Sequence, residues 1–199
     1  MKKILFLILI TLPLIVFSQS EIGSKIKWKT TITSNKELHD ILFFEGIDNY
    51  YHQLVGEDLK GKHIYIIAKE LWEGKITKID TVFNTFKNNF PPIQSDTLRF
   101  KTVSKKFTQD KLKIFFRFDK FGGERFYDAT NSLEYDLTPI ASHLNIEIGK
   151  PFPALAYILP YEVNGLKKYC AVGNSGKDVE TWGKEFGIKH YIIFEMLLK

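Results

Sequence analysis

Residues 63–83 read HIYIIAKELWEGKITKIDTVF. Two isoleucine-rich runs, the second closed by Val82 and Phe83, flank Glu73-Gly74. β-Branched and aromatic side chains favour extended backbone, and glycine supplies the positive φ that a tight two-residue turn needs. The stretch predicts a β-hairpin, residues 63–72 against 75–83.

The same pattern recurs on both sides. Residues 25–33 set Ile26, Trp28, Thr30 and Ile32 against Lys25, Lys27 and Lys29, the period of two that marks a half-buried strand. The apolar run 38–44 reads as a buried strand ended by Gly46 and Asp48-Asn49. Asn49 is expected to cap a short helix over 50–55, and 56–62 is a polar loop. Downstream, 84–95 contains Asn88-Asn89 and Pro91-Pro92 and is expected to be irregular. Residues 97–103 alternate again. After a turn at 108–110, Leu112, Ile114, Phe116 and Phe118 point one way, and Gly122-Gly123 turns the chain into 124–129. Thr138-Pro139 opens a helical turn through His143. Asn164-Gly165 between 152–161 and 166–172 is a hairpin signal. Asp178 caps a short helix over 179–186 that Gly187 ends. The near-continuous apolar run 188–198 reads as a central strand.

Roughly ten close-spaced strand candidates and no long helical periodicity predict a mainly β fold. The expected architecture is an antiparallel β-sandwich or flattened barrel with one or two short helices. No repeat or long linker divides the chain, so residues 21–199 are expected to form a single domain.

The first 20 residues have a different character. Lys2 and Lys3 precede an uncharged apolar run of about 14 residues, broken by Pro13 and followed by Ser18, Gln19 and Ser20. This is the layout of a secretory signal peptide, too short for the ~20 residues of a spanning helix. Cleavage is expected after Ser18 or Ser20, giving a periplasmic or secreted bacterial protein with no stable membrane span. Removing Lys2 and Lys3 lowers the formal net charge of +5 by two. Charge along the mature chain is scattered, with Lys105-Lys106 and Lys167-Lys168 as its only basic doublets beyond the leader. The dense basic stripe of a nucleic-acid binder is not visible, and no nucleic-acid partner is expected. The single cysteine, Cys170, makes no internal disulfide. It is either a buried small hydrophobe or an exposed thiol.

Catalytic signatures are weak. Gly173-Asn174-Ser175-Gly176 resembles the Gly-Asp-Ser-Gly around the nucleophile of chymotrypsin-like proteases, differing at one of its four positions. None of the preceding histidines, His39, His63 and His143 among them, lies in that family's Ala-Ala-His-Cys context, and a polar turn is the simpler reading. Gly176-Lys177 lacks the first glycine of a phosphate-binding loop, since Ala171 stands there. His39, His52, His63, His143 and His190 show no zinc spacing. No metal and no cofactor is expected. Trp28 lacks the Gly-x-Trp pattern of lipocalins, reading Ile26-Lys27-Trp28.

These observations favour a non-enzymatic exported domain that binds an envelope protein or glycan. Exposed aromatics at Trp72 and Phe121, both beside turns, and at Trp182 are the candidate binding residues. Two alternatives stand beside this reading. A glycan-processing enzyme would need two of Glu45, Asp48, Asp178 and Glu180 facing each other across a groove. An apolar-ligand carrier would need an interior cavity of at least ~300 Å³. The competing role for Asp178, Glu180 and Trp182 is structural: a helix cap, a solvated charge and an anchor of the helix on the sheet.

Overall fold

The computed structural model describes residues 26–169 and 175–199. The expected leader, Cys170, and Gly173-Asn174 of the serine motif lie outside the described residues.

The fold is mainly β, as the alternation predicts. Among the described residues twelve strands follow in chain order: β1 (Lys27–Thr31), β2 (Ile47–Val55), β3 (Ile64–Trp72), β4 (Lys75–Asn84), β5 (Thr97–Thr108), β6 (Lys111–Phe118), β7 (Gly122–Asp128), β8 (Asp136–Pro139), β9 (Phe152–Ile158), β10 (Tyr161–Val163), β11 (Leu166–Lys168) and β12 (His190–Leu198). Two short helices join them, α1 (Lys36–Phe44) and α2 (Trp182–Phe186). One antiparallel sheet has the order β1-β2-β5-β6-β7 and the other β4-β3-β12-β9-β8, with β10-β11 a separate ribbon.

The two large sheets lie face to face as a sandwich. Leu112, Ile114, Phe116 and Phe118 turn inward from β6, and Ile192, Phe194, Met196 and Leu198 meet them from β12. Phe116 and Phe194 pack edge to face at 5.3 Å between centroids. Arg125 of β7 donates to the Val82 carbonyl of β4 at 2.8 Å, tying the sheets at one margin. At the other margin the Leu137 N–H of β8 donates to Asp48 of β2.

The centre of the second sheet, β9 and β12, is buried on both faces. Tyr191 and Ile193 of β12 point away from the first sheet into a smaller core with Trp182, Ile188 and Tyr161. This double burial is why residues 188–198 are apolar almost throughout. The Asp178 side chain accepts the Glu180 N–H, and Gly187 adopts φ 68°, so the expected cap and stop both frame the covering segment. The hairpin turn presses against this cover. A Cβ on Gly183 would lie 2.5 Å from the Gly74 backbone, so only glycine permits the approach.

Several local expectations are corrected. The apolar run 38–44 is helix α1, not a buried strand. Asn35 accepts the Leu38 N–H at 3.0 Å as its cap, and Leu38, Ile41 and Leu42 follow helical rather than alternating spacing. The helix expected over 50–55 is part of β2. Pairing on both sides, with β1 and β5, outweighs the capping preference of Asn49. Gly122 and Gly123 belong to β7, and the turn precedes them. A Cβ on Gly123 would press to 3.2 Å from the Phe83 ring. Thr138-Pro139 closes strand β8, and the helical turn begins only at Ala141. The Asn164-Gly165 turn joins β10 to β11, with φ values of 52° and 77°, but this ribbon is separate from β9.

Candidate functional site

Strand ends from both sheets converge at one end of the sandwich. There α1 leads into β2 through Gly46, which takes φ 61°. A cleft of about 750 Å³ opens beside it, lined by Asp48, Asp136, Tyr135, Lys105 and Lys106. Its rim is apolar. Phe43 and Phe44 of α1 are 81% and 86% exposed, and Leu133 and Phe107 stand across from them at 80% and 52%. Helix α1 buries none of its residues.

Asp48 and Asp136 form the floor. Asp48 reaches inward from β2 and accepts the Ser104 hydroxyl at 3.0 Å and the Leu137 N–H at 3.2 Å. Asp136 accepts the Thr138 hydroxyl at 3.1 Å. Burial, then the neighbouring Asp136 charge, raises the Asp48 carboxyl to about 7. Burial raises Asp136 as well, while the Thr138 hydroxyl pulls the other way. Burial of two neighbouring carboxyls thus favours protonation of the pair. Burial and the Asp48 charge push the adjacent Tyr157 phenol upward, so it stays neutral.

Behind the cleft lies a second network. The Tyr135 hydroxyl is 2.7 Å from His190 Nδ1, and His190 Nε2 lies 3.5 Å from Glu70 Oε1. Trp72 donates its indole N–H to Glu70 at 2.8 Å and lays its ring 4.1 Å from that of His190. Burial works to raise the Glu70 carboxyl, but His190 and Trp72 outweigh it and hold the group below its ordinary value. Glu70 Oε2 and His190 Nε2 are buried without a hydrogen-bond partner, as is the Tyr127 hydroxyl. His190 stands between the Tyr135 hydroxyl on its Nδ1 side and Glu70 on its Nε2 side. The network thus runs from the core to the cleft wall.

The sequence-predicted residues do not gather here as a set. Trp72 is half-buried over His190 at this end, whereas Phe121 stacks on Phe118 and Phe90 at the opposite end. Trp182 is 2% exposed and anchors α2 on the outer face of the second sheet. Of the four acids considered as a pair, Asp48 and Glu45 line the cleft. Asp178 and Glu180 sit in the segment covering the second sheet, where Glu180 and Glu195 share Lys69 at 2.7 and 2.8 Å. The partner of Asp48 is Asp136, which the sequence reading passed over. Its place in an irregular stretch offered no signal.

Among the described residues, no group of three or more His, Cys, Asp or Glu side chains is placed to hold a metal. His52 is buried between the Thr30 and Thr102 hydroxyls at 3.0 and 2.9 Å, and burial lowers its pKa to about 3. Ser175 accepts the Lys177 N–H at 3.2 Å, as a turn serine does. No described helix is long and apolar enough to cross a membrane. Comparison of the chain with protein-family models, with curated proteins and with solved structures finds no match.

Proposed function

We propose that the chain is an exported, non-enzymatic binding domain that docks an envelope protein through the apolar rim around α1. The observation that carries this reading is the exposure of Phe43, Phe44, Phe107 and Leu133 around one cleft. At 150–250 Å² for a buried aromatic, these side chains offer on the order of 500 Å² of apolar surface. That is as large as the biggest patch on a typical monomer, which is often functional. A helix that contributes nothing to its own core gains its burial from a partner.

Two other readings have less support. The Asp48–Asp136 pair resembles a hydrolase dyad in setting two carboxyls together, and it opens onto a cleft. However, Asp48 is engaged by Ser104 and the Leu137 N–H and Asp136 by Thr138, which gives both carboxyls structural partners. An apolar carrier would need space between the sheets, which Phe83, Phe100, Phe116, Phe118 and Phe194 fill.

Site-specific photocrosslinking tests the proposal. A crosslinking amino acid placed at Phe44 should capture one envelope protein, and the same probe at exposed Ile79 of β4 should not. Phe43→Ser with Phe44→Ser should abolish co-purification of that protein. Equal capture from both positions, or a crosslink only to a second copy of the chain, would refute the reading.

A further inference from the structure

The outer face of the first sheet carries a charge pattern that the linear sequence conceals. Strands β1, β5 and β6 each turn apolar residues inward at every second position: Trp28, then Leu98 and Phe100, then Ile114, Phe116 and Phe118. The alternate positions carry Lys27 and Lys29 on β1, Arg99, Lys101 and Lys105 on β5, and Lys113 and Arg117 on β6, with Val103 and Phe115 interrupting the cations. Pairing sets them in rows. Lys29 lies opposite Gln53, which lies opposite Arg99. Tyr51 lies opposite Lys101, which lies opposite Arg117. Lys105 lies opposite Lys113.

Like charges directly opposed across strands are destabilising. Lys113 is relieved by Glu124 at 2.7 Å. Among the described residues, Lys29, Arg99, Lys101 and Arg117 enter no ion pair. These four line one shallow hollow of about 620 Å³, in which Asp119 is the single acid. The segment with α2 covers part of the outer face of the second sheet, whereas among the described residues Arg99 and Arg117 are exposed on this face.

We propose that this face binds a single-chain anionic polysaccharide of the cell envelope, a polyuronate by chemical class, through Lys29, Arg99, Lys101 and Arg117. A planar guanidinium pairs bidentately with a carboxylate, which suits Arg99 and Arg117 to one acid per sugar. The face is a broad sheet, whereas reading a duplex takes an element that enters a groove. The Tyr51 ring already has the Lys101 ammonium 5.3 Å over it, so it is not free to stack a nucleobase. The choice of a glycan rests on the export expected from residues 1–20, which would place the chain among envelope polysaccharides. This surface is separate from the α1 rim, and its ligand does not depend on the protein partner proposed there.

The test is titration of the mature protein with polygalacturonate, followed calorimetrically, with dextran, duplex DNA and anionic phospholipid vesicles in parallel. Polygalacturonate should bind, and its affinity should fall on the order of 10- to 50-fold between about 50 and about 200 mM salt, for four contacts. Arg99→Glu with Arg117→Glu should weaken binding at least ~10-fold. The milder Arg99→Gln with Arg117→Gln should weaken it in the same direction while keeping the wild-type melting temperature. Lys75→Glu with Lys78→Glu, on the exposed strand β4 of the other sheet, should leave affinity within about twofold, because distant surface charges are screened. No binding at low salt, equal binding to dextran, tighter binding to DNA or vesicles, or indifference to the arginine variants would each overturn the proposal.

Discussion

Asp48→Asn should stabilise the protein at neutral pH, and by progressively less as pH falls toward about 4. In the folded chain the Asp48 carboxyl is raised to about 7, against an ordinary value of 3.8. The unfolded chain therefore releases this proton first, and stability drains away as pH rises from about 4 to about 7. Between about pH 5 and about pH 7.5 the loss is about 2–3 kcal/mol. Asparagine mimics the protonated acid. It can accept from Ser104 and Leu137 through its oxygen. It removes the pH-dependent cost while keeping the bonds that join β2 to β8. At about 2–4 °C per kcal/mol for a chain of this size, the melting advantage of the variant over the wild type should be about 5–10 °C larger at pH 7.5 than at pH 5. His52 titrates in an overlapping window with the opposite sign, but it is common to both proteins and cancels in the difference. Differential scanning calorimetry across this range is the measurement. A melting difference that does not change with pH would refute the raised Asp48 carboxyl. A variant less stable than wild type at pH 7.5 would refute the geometry as well.

Other outcomes follow from neighbouring features. His52, lowered to about 3 by burial, is neutral in the folded state. Its contribution is complete above pH 6.5 and is lost as pH falls toward 3, so His52→Gln should flatten the acid limb of urea denaturation by about one proton. Gly183→Ala places a methyl group 2.5 Å from the Gly74 backbone. It should cost about 1–3 kcal/mol, read as a lower urea midpoint, and a neutral result would mean the turn does not pack on α2. Phe43→Ala and Phe44→Ala, at 81% and 86% exposure, should shift stability by no more than about 0.5 kcal/mol. A larger loss in thermal melts would show that α1 packs on its own sheet.

The local order of this fold was legible because strand alternation is a local signal. The hairpin over 63–83, the inward row from Leu112 to Phe118 and the Asp178 cap are each written within a dozen or so residues. Helix α1 was misread because a short apolar run fits both periods, and its lack of burial removed the contrast that separates them. Glu45 and Asp48 were recognised as candidate acids, but not the partner of either. Asp136 joins Asp48 only because β8 and β2 meet at the margin where the sheets touch. Glu70, His190 and Tyr135 meet for the same reason, from β3, β12 and the segment before β8.

By itself the sequence determined the class of fold, the turns that punctuate it and the doubly covered strand at the end of the chain. All of these follow from side-chain period and backbone preference between near neighbours. Tertiary structure alone decided which acids are neighbours, which aromatics remain bare, and that scattered lysines and arginines align into one cationic face. Register between strands is settled by burying one face of each sheet. Only that pairing turns every second residue of three distant segments into adjacent members of a single surface.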